Sequence, residues 1–191
     1  PGVSIVETWD TLGMRGTASH NVKLENVFVA DAAIAARRPP GVWHPSFHLI
    51  PMTAFPLTSA VYTGLAETAR DIAVAAAAKR TQPETIEAVG QLDTELAATQ
   101  IAHRSMVETL EQAQPGPETT NKVFLHRALV ARSAVKTVEL ALVAAGGAGF
   151  FKSMRLERAF RDVQGARFHP LTDGQQQKLA GRMALGLPID G

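Results

Sequence analysis

The residues best suited to chemistry lie near the end of the chain, in the segment LERAFRDVQGARFHPLTDGQQQ at 156–177. It contains two pairs of opposite charges at a spacing of four, which favours ion pairs on a helix. These pairs are Glu157 with Arg161 and Arg158 with Asp162. Pro170 then ends any helix and biases His169 toward an extended backbone. Since polar groups on a loop at the end of a bundle often form a site, this segment is a candidate site.

A second candidate is the loop WDTLGMRGTASH at 9–20. Gly13 and Gly16 free its backbone to approach a ligand closely. Arg15 and Thr17 lie beside these glycines and offer a fixed cation and a hydroxyl group, which suit a flavin or a phosphate. A polar loop between two strands explains the same composition without any ligand.

The sequence GGAG at 146–149 is open to two interpretations. Glycines that bind a dinucleotide follow a strand and open a helix, so that the helix N-terminus meets the phosphate. Here Gly146 and Gly147 follow a long predicted helix, where glycine typically forms the C-terminal cap. Taken alone, the pattern favours capping and close packing.

Composition argues against several other classes of function. The chain of 191 residues has a net charge of +1, no Cys, and an apolar content of 46%, which is ordinary for a globular domain. We therefore expect no nucleic-acid-binding surface, no disulfide and no membrane span, and the lack of Cys is compatible with a cytoplasmic location. We expect no metal site, because His44 and His48 have helical spacing but lie among prolines. The chain begins at Pro1 rather than Met, so we expect it to be part of a longer protein.

The elements that must position these residues divide the chain into three regions. Residues 1–35 contain β-like stretches at 3–7 and 21–29, with a turn at 25–26 in the second. Residues 36–56 form a connector with too many prolines for a long helix. Residues 57–191 have helical periodicity, so the predicted fold class is mainly α, an antiparallel helical bundle preceded by a short β segment. The predicted helices span 57–80, 81–112, 118–145, 153–165 and 173–185, with a capping box at Thr81 and Glu84 and an N-cap at Asp173.

Three segments in combination resemble the acyl-CoA dehydrogenase superfamily. WDTLGMRGTASHNVKLENVFVAD is similar to the end of that family's middle β domain, and GLAETARDIAVAAAAKR is similar to its first C-terminal helix. AAGGAGFFKSMRLERAFRDVQ resembles the family's Gly-Gly-x-Gly segment and the E-R-x-x-R-D motif that follows. The resemblance covers essentially the whole chain. It implies that 1–35 is the end of the middle β domain and that 57–191 is the C-terminal bundle.

By position, the resemblance also implies a flavin site shared between subunits. The family's arginine at the end of the first C-terminal helix contacts the flavin pyrophosphate across a dimer interface, and it corresponds to Arg80. The glycine pair that lies against the cofactor of a partner subunit corresponds to Gly146 and Gly147. A threonine that contacts the cofactor corresponds to Thr172. The expected cofactor-binding residues are therefore Arg15, Thr17, Arg80, Gly146, Gly147 and Thr172.

The chain departs from the dehydrogenase pattern where the family carries its catalytic carboxylate. That position is Pro170, which cannot remove a proton, and Val143 replaces a glutamine frequent in dehydrogenases. The sequence FHPLTD instead resembles the branch that became two-component flavin monooxygenases. Those enzymes take reduced flavin from a separate reductase and oxygenate aromatic or heteroaromatic small molecules. The resemblance implies FAD or reduced FMN as cofactor and a homodimer or homotetramer. It also implies that His169 is the catalytic group, which would hydrogen-bond the activated oxygen or deprotonate a phenol.

Two other functions remain open on the sequence. A true acyl-CoA dehydrogenase would use FAD and would need a displaced base, for which Glu67 and Glu84 on the first two helices are candidates. A non-catalytic helical assembly module would need no flavin, because this chain alone lacks most of a flavin site. Bound flavin separates the module from the two enzymes, and oxidation of an acyl-CoA separates the dehydrogenase from the monooxygenase.

Overall fold

Three long helices form the body of the protein in the computed structural model, which describes residues 2–189. They are α1 (Ser46–Ala77), α2 (Pro83–Gln112) and α3 (Pro117–Ala145). Short connections between helices that pack along their lengths make consecutive helices antiparallel. The expected fold, a mainly α bundle preceded by a short β segment, is confirmed.

The core lies where α1 and α2 pack on the central helix α3. Ala66, Ala69 and Ala73 of α1 are fully buried, and their spacing of three and four residues places them on one helix face. Small side chains there let α1 approach α3 closely, where Val135 and Val138 are also fully buried. The alanine-rich sequence of α1 therefore allows this helix to pack tightly against α3.

The first helix begins earlier than the sequence predicted. It starts at Ser46 rather than near residue 57, and Pro51 and Pro56 lie inside it, so the expectation of a non-helical connector up to residue 56 is wrong for its last eleven residues, 46–56. Each proline removes one helical hydrogen bond, but both rings are buried in the bundle, and that packing offsets the loss. The helix is long and apolar enough to cross a membrane on length and composition alone, but its buried face packs on α2 and α3 as a core helix does.

The second helix also begins differently from the prediction. Gln82 is the N-cap and Pro83 occupies the first helical position, and no side chain of the cap residue bonds to the backbone. The predicted capping box at Thr81 and Glu84 is therefore wrong. Proline has no N–H group to donate, and none is needed here, because the first amides of a helix have no acceptor within the helix.

The β segment is a two-stranded antiparallel ribbon. Strand β1 (Val3–Val6) pairs with β2 (Asn21–Leu24), with Val3 opposite Leu24. The second strand ends before residue 29, because Asn26 has a left-handed backbone (φ 52°) that breaks the strand at the predicted turn. Both strands are exposed on their two faces in this chain.

Two shorter helices close one end of the bundle. Helix α4 (Leu156–Val163) packs against α1 and α3, and α5 (Asp173–Ala184) packs against α3. The N-cap of α5 is Thr172 rather than the predicted Asp173. The segment between these helices carries His169 and Pro170, so the predicted loop does lie at an end of the bundle.

Candidate functional site

The charge cluster of α4 forms the two ion pairs that the spacing predicted. Arg161 Nε donates to Glu157 Oε2 at 2.9 Å, and Arg158 Nε donates to Asp162 Oδ2 at 3.4 Å. The hydrogen bond from Arg161 holds the pKa of the Glu157 carboxyl below its usual value. These pairs fix the orientation of the longer side chains on this short helix.

The same cluster attaches the loop at 9–20 to the bundle. The Met14 amide donates to Asp162 Oδ1 at 2.6 Å, and Arg161 Nη1 donates to the Leu12 carbonyl at 3.2 Å. Gly13 is buried between these contacts, and a Cβ at this position would lie 2.1 Å from the Arg161 carbonyl oxygen. The two candidate segments of the sequence therefore meet, and only a glycine allows the approach.

His169 is held by a tyrosine that the sequence did not single out. Its Nε2 lies 2.7 Å from the hydroxyl oxygen of Tyr62 on α1, and the two rings meet edge to face. The imidazole is half-buried, and burial together with the charge of Arg127 lowers its pKa. Burial raises the pKa of Tyr62 to about 12. Both groups are therefore neutral near pH 7.

Arg127 of α3 fixes the backbone that carries His169. Its guanidinium donates to the carbonyl oxygens of Ala166, His169 and Leu171, at 2.8, 2.7 and 2.7 Å. The side chain is only 3% exposed, and burial lowers its pKa. The sequence contained a signal for this role, because an arginine on the apolar face of a core helix needs buried hydrogen-bond acceptors.

Two cavities meet at His169. One, of about 520 Å³, lies between the 9–20 loop and the end of the bundle, and Tyr62 also lines it. The other, of about 920 Å³, lies between residues 38–58 and the loop at 169–171. The aromatic residues that line the larger cavity are Trp43, Phe47, Phe55 and Phe124. Both volumes are in the range of small-molecule sites.

The predicted loop residues Arg15 and Thr17 have different surroundings. Thr17 lines the smaller cavity, and its hydroxyl donates to the Met14 carbonyl at 2.9 Å. Arg15 is exposed, its Nε donates to the Thr11 carbonyl at 2.9 Å, and it does not line either cavity. The structure thus brings Thr17, but not Arg15, toward His169.

Arg80 and the glycine pair form a second cluster, away from both cavities at His169. The Arg80 guanidinium donates to the Ala144 carbonyl and lies beside Gly146. Gly146 has φ +63°, and a Cβ there would lie 2.6 Å from Arg80 Nη1. Gly147 follows it with open space where a Cβ would stand. Arg80 and Gly146, both of which the resemblance placed against a flavin at a subunit interface, are therefore neighbours, although they are far apart in the sequence.

Thr172 has a structural role in this chain. It caps α5, with its hydroxyl group 2.9 Å from Gln175 Oε1 and its amide donating to the same oxygen. The alternative bases are also away from His169: Glu67 accepts a hydrogen bond from Gln100 at 2.7 Å, and neither Glu67 nor Glu84 lines either cavity.

The histidines pointed to no metal, and within residues 2–189 the structure contains no group of three or more potential ligands close enough to hold one. His48 lies inside α1, and its Nδ1 is 2.8 Å from the Thr120 hydroxyl oxygen. Burial lowers the pKa of His48.

The structure thus places a half-buried histidine between two cavities at one end of a helical bundle. A family model described as "Acyl-CoA dehydrogenase, C-terminal domain" matches residues 57–173, and the chain belongs to this family. The resemblance seen in the sequence is confirmed.

Curated relatives have three kinds of name. A putative acyl-CoA dehydrogenase, YdbM of Bacillus subtilis, is 26% identical over 94% of this chain and 49% of its own length. The amino sugar nitrososynthase DnmZ of Streptomyces peucetius is 29% identical over 91% of this chain and 46% of its own length. The indole-3-acetate monooxygenase of Pseudomonas putida is 28% identical over 98% of this chain and 53% of its own length. The chain thus spans about half the length of the curated relatives it matches.

A solved structure shows the same fold. KijD3, crystallised with FMN and dTDP-3-amino-2,3,6-trideoxy-4-keto-3-methyl-D-glucose, matches all of this chain and 50% of its own, with a TM-score of 0.88 and 24% identity. At this identity the likeness establishes the arrangement of the helices and leaves the ligands open.

Proposed function

We propose that this chain is the C-terminal part of a flavin-dependent monooxygenase that oxygenates a small aromatic or heteroaromatic molecule. The observation that carries the proposal is the position of His169, a neutral, oriented imidazole at the junction of two cavities. By the resemblance, Pro170 in the same loop stands where the family carries its catalytic carboxylate. Proton abstraction from an acyl-CoA therefore has no carboxylate at this position, whereas oxygenation requires none.

The smaller cavity fits the ring system of a flavin. Its lining combines the indole of Trp9 and the thioether of Met14 with the hydroxyl groups of Thr17 and Ser19. A flat aromatic ring with polar edges needs this combination of apolar faces and a few hydrogen-bonding groups. FAD or reduced FMN would supply the activation of oxygen when bound, and Tyr62 and His169 would face it from the bundle.

The larger cavity fits an aromatic substrate. Four aromatic side chains surround it, and the Arg38 guanidinium stacks on Phe47 with 4.3 Å from its carbon to the ring centroid. Aromatic walls favour stacked or edge-to-face contacts with an aromatic ligand. A sugar nucleotide, such as the ligand of KijD3, would find few polar partners in this lining.

In this arrangement His169 contributes a hydrogen bond at the reacting centre. Burial and Arg127 keep the imidazole uncharged at neutral pH, so one ring nitrogen carries a proton and the other a lone pair. Arg127 holds the loop through three carbonyls and fixes the imidazole between the two cavities. The mostly apolar walls lower the local polarity, which strengthens each hydrogen bond inside.

The flavin phosphates would bind at the cluster of Arg80, Gly146 and Gly147, against a partner subunit. A guanidinium beside a glycine with a left-handed backbone offers a cation and close backbone approach to a phosphate. Arg80 would exchange its bond to the Ala144 carbonyl for the phosphate. Arg15 and Thr172, which are exposed here, would contact the cofactor from the loop and from the start of α5.

The partner is proposed to be a second copy of the protein, in a homodimer or homotetramer. Large apolar side chains are exposed on α2, on α3 and just after the glycine pair, and a second copy that packs on them would remove them from water. Those residues are Ile101, Leu129, Val143, Phe150 and Phe151. A separate reductase would supply reduced flavin, and the protein would act in the cytoplasm. Light scattering of the intact protein tests the assembly, and a monomer at all concentrations would refute it.

The test of the reaction is the coupling of oxygen consumption to product formation in His169→Ala. Intact protein with reduced flavin and a panel of phenols and indoles is assayed for product and hydrogen peroxide together. We expect product formation to fall by about 10²-fold, the lower range for acid–base assistance, with more peroxide per product. His126→Ala is the matched control. His126 of α3 is also half-buried, but it lines a different cavity, which His169 does not reach. Equal coupling in the wild type and His169→Ala would refute the assignment.

A further inference from the structure

The hydroxyl group of Tyr62 has a single partner in the described part of the chain. Tyr62 is 4% exposed, and its oxygen lies 2.7 Å from His169 Nε2. No other hydrogen bond of this hydroxyl is found within residues 2–189. It is also the single tyrosine of the sequence. A buried phenol normally finds one good partner, and here that partner is the imidazole of the candidate site.

The hydrogen bond can run in either direction, and the surroundings favour one. The charged groups around the pair are Arg127 of α3 and Arg161 and Asp162 of α4. Burial, and secondly the charge of Arg127, oppose a positive charge on the imidazole and lower its pKa, so His169 is neutral and has a lone pair to accept with. The phenol keeps its proton throughout the neutral range and can donate it. Donation from the O–H to Nε2 matches the stronger donor with the stronger acceptor.

We propose that Tyr62 is a positioning residue that donates to Nε2 of His169 and thereby fixes the imidazole as the tautomer protonated at Nδ1. This inference rests on the proposed function and decides between two roles for His169. With the Nε2 lone pair engaged by Tyr62, the free ring nitrogen carries a proton. His169 is then a hydrogen-bond donor to the reacting oxygen and not a base that removes a phenolic proton.

The decisive measurement is the pKa and tautomer of His169, read by NMR of the intact protein with ¹⁵N-labelled histidine. His169→Gln identifies the signals. In the wild type we expect the ¹⁵N shifts of His169 to show Nε2 without a proton and Nδ1 with one. A wild-type protein with the proton on Nε2 refutes the proposal, and this arm requires no variant at Tyr62.

Tyr62→Phe removes the hydroxyl group and keeps the ring that packs in the core. If Tyr62 donates to Nε2, it stabilises the neutral imidazole, so its removal raises the pKa of His169. Loss of one neutral hydrogen bond corresponds to a rise of about 0.7, a five-fold change in the protonation constant. If Tyr62 accepts instead, its removal lowers the pKa or leaves it unchanged, and either result overturns the proposal.

Thr63→Val is the matched control. Thr63 is the next residue on α1, is 6% exposed, and its hydroxyl group donates to the Ser59 carbonyl within its own helix. Its removal leaves the pKa of His169 unchanged. A rise in Thr63→Val as large as that in Tyr62→Phe means that both changes act through packing, and it overturns the proposal.

The NMR result does not depend on oxygenation, so the two proposals fail separately. A rise in pKa together with unchanged product coupling in His169→Ala supports the tyrosine–histidine pair and refutes the monooxygenase role. In the converse case, His169→Ala uncouples the reaction while Tyr62→Phe leaves the tautomer and pKa of His169 unchanged. That result leaves the proposed function intact and overturns the role of Tyr62.

Discussion

The buried Arg127 offers the most direct test of how the candidate site is built. We expect Arg127→Met to destabilise the protein and to loosen the loop at 166–171. Methionine has a similar length and suits an apolar environment, so it fills most of the volume but donates nothing. The carbonyls of Ala166, His169 and Leu171 then lose their shared donor.

The size of the effect follows from these three bonds. Hydrogen bonds to a charged group contribute about 1.5–3 kcal/mol each. The bond to the Ala166 carbonyl is fully buried and its acceptor stays unsatisfied, whereas water can reach the carbonyls of His169 and Leu171. Burying the guanidinium costs desolvation free energy, and the substitution recovers part of that cost. We therefore expect the free energy of unfolding to fall by about 3 kcal/mol.

The assay is urea unfolding of the intact protein, followed by hydrogen exchange of the amides at 166–171. Arg132→Met is the control, since Arg132 lies on the same helix, is exposed, and makes one long bond of 3.4 Å to the Ala128 carbonyl. We expect the control to change stability by less than about 0.5 kcal/mol. A loss below about 1 kcal/mol in Arg127→Met, with unchanged exchange in the loop, would mean that the guanidinium does not hold this segment.

Further expectations concern the loop contact, the phosphate cluster and pH. Gly13→Ala would place its Cβ 2.1 Å from the Arg161 carbonyl and should cost about 2 kcal/mol or more of unfolding free energy. Gly16→Ala, with open space around it, should cost far less; equal effects would refute the close approach. Arg80→Ala should weaken flavin binding in the intact protein about tenfold, measured by fluorescence titration, and unchanged affinity would exclude a phosphate contact. The histidines whose pKa burial lowers are His48, His126 and His169. Their neutral forms favour the folded state, so stability should be highest above about pH 6.5 and fall as the pH drops toward their folded pKa values. Urea midpoints equal at pH 7.5 and 5.5 would contradict this.

Local rules were enough for most of the helices. The end of α2 at Gln112 and of α3 at Ala145 followed from proline and glycine, which act on their own few residues. The ion pairs of α4 followed from a spacing of four, since neighbours on one helix face are set by helix geometry alone. The family resemblance also came from short motifs, each read within its own segment.

The beginning of α1 shows where local rules fail. Two prolines weaken a helix in isolation, and the sequence therefore predicted a connector. Burial of Pro51 and Pro56 against the rest of the bundle outweighs that weakness, and burial depends on residues far along the chain. The start of α2 is different, because there a local feature, the proline at the first helical position, replaced the expected capping box.

The sequence by itself determined the class of fold, the family and His169 as the residue to examine. Only the tertiary structure decided what His169 touches. Tyr62 lies 107 positions before it and Arg127 lies 42 positions before it, on two different helices. No periodicity links residues at such separations; they meet because the alanine faces of α1 and α3 pack closely enough to bring a phenol and a guanidinium to the same loop.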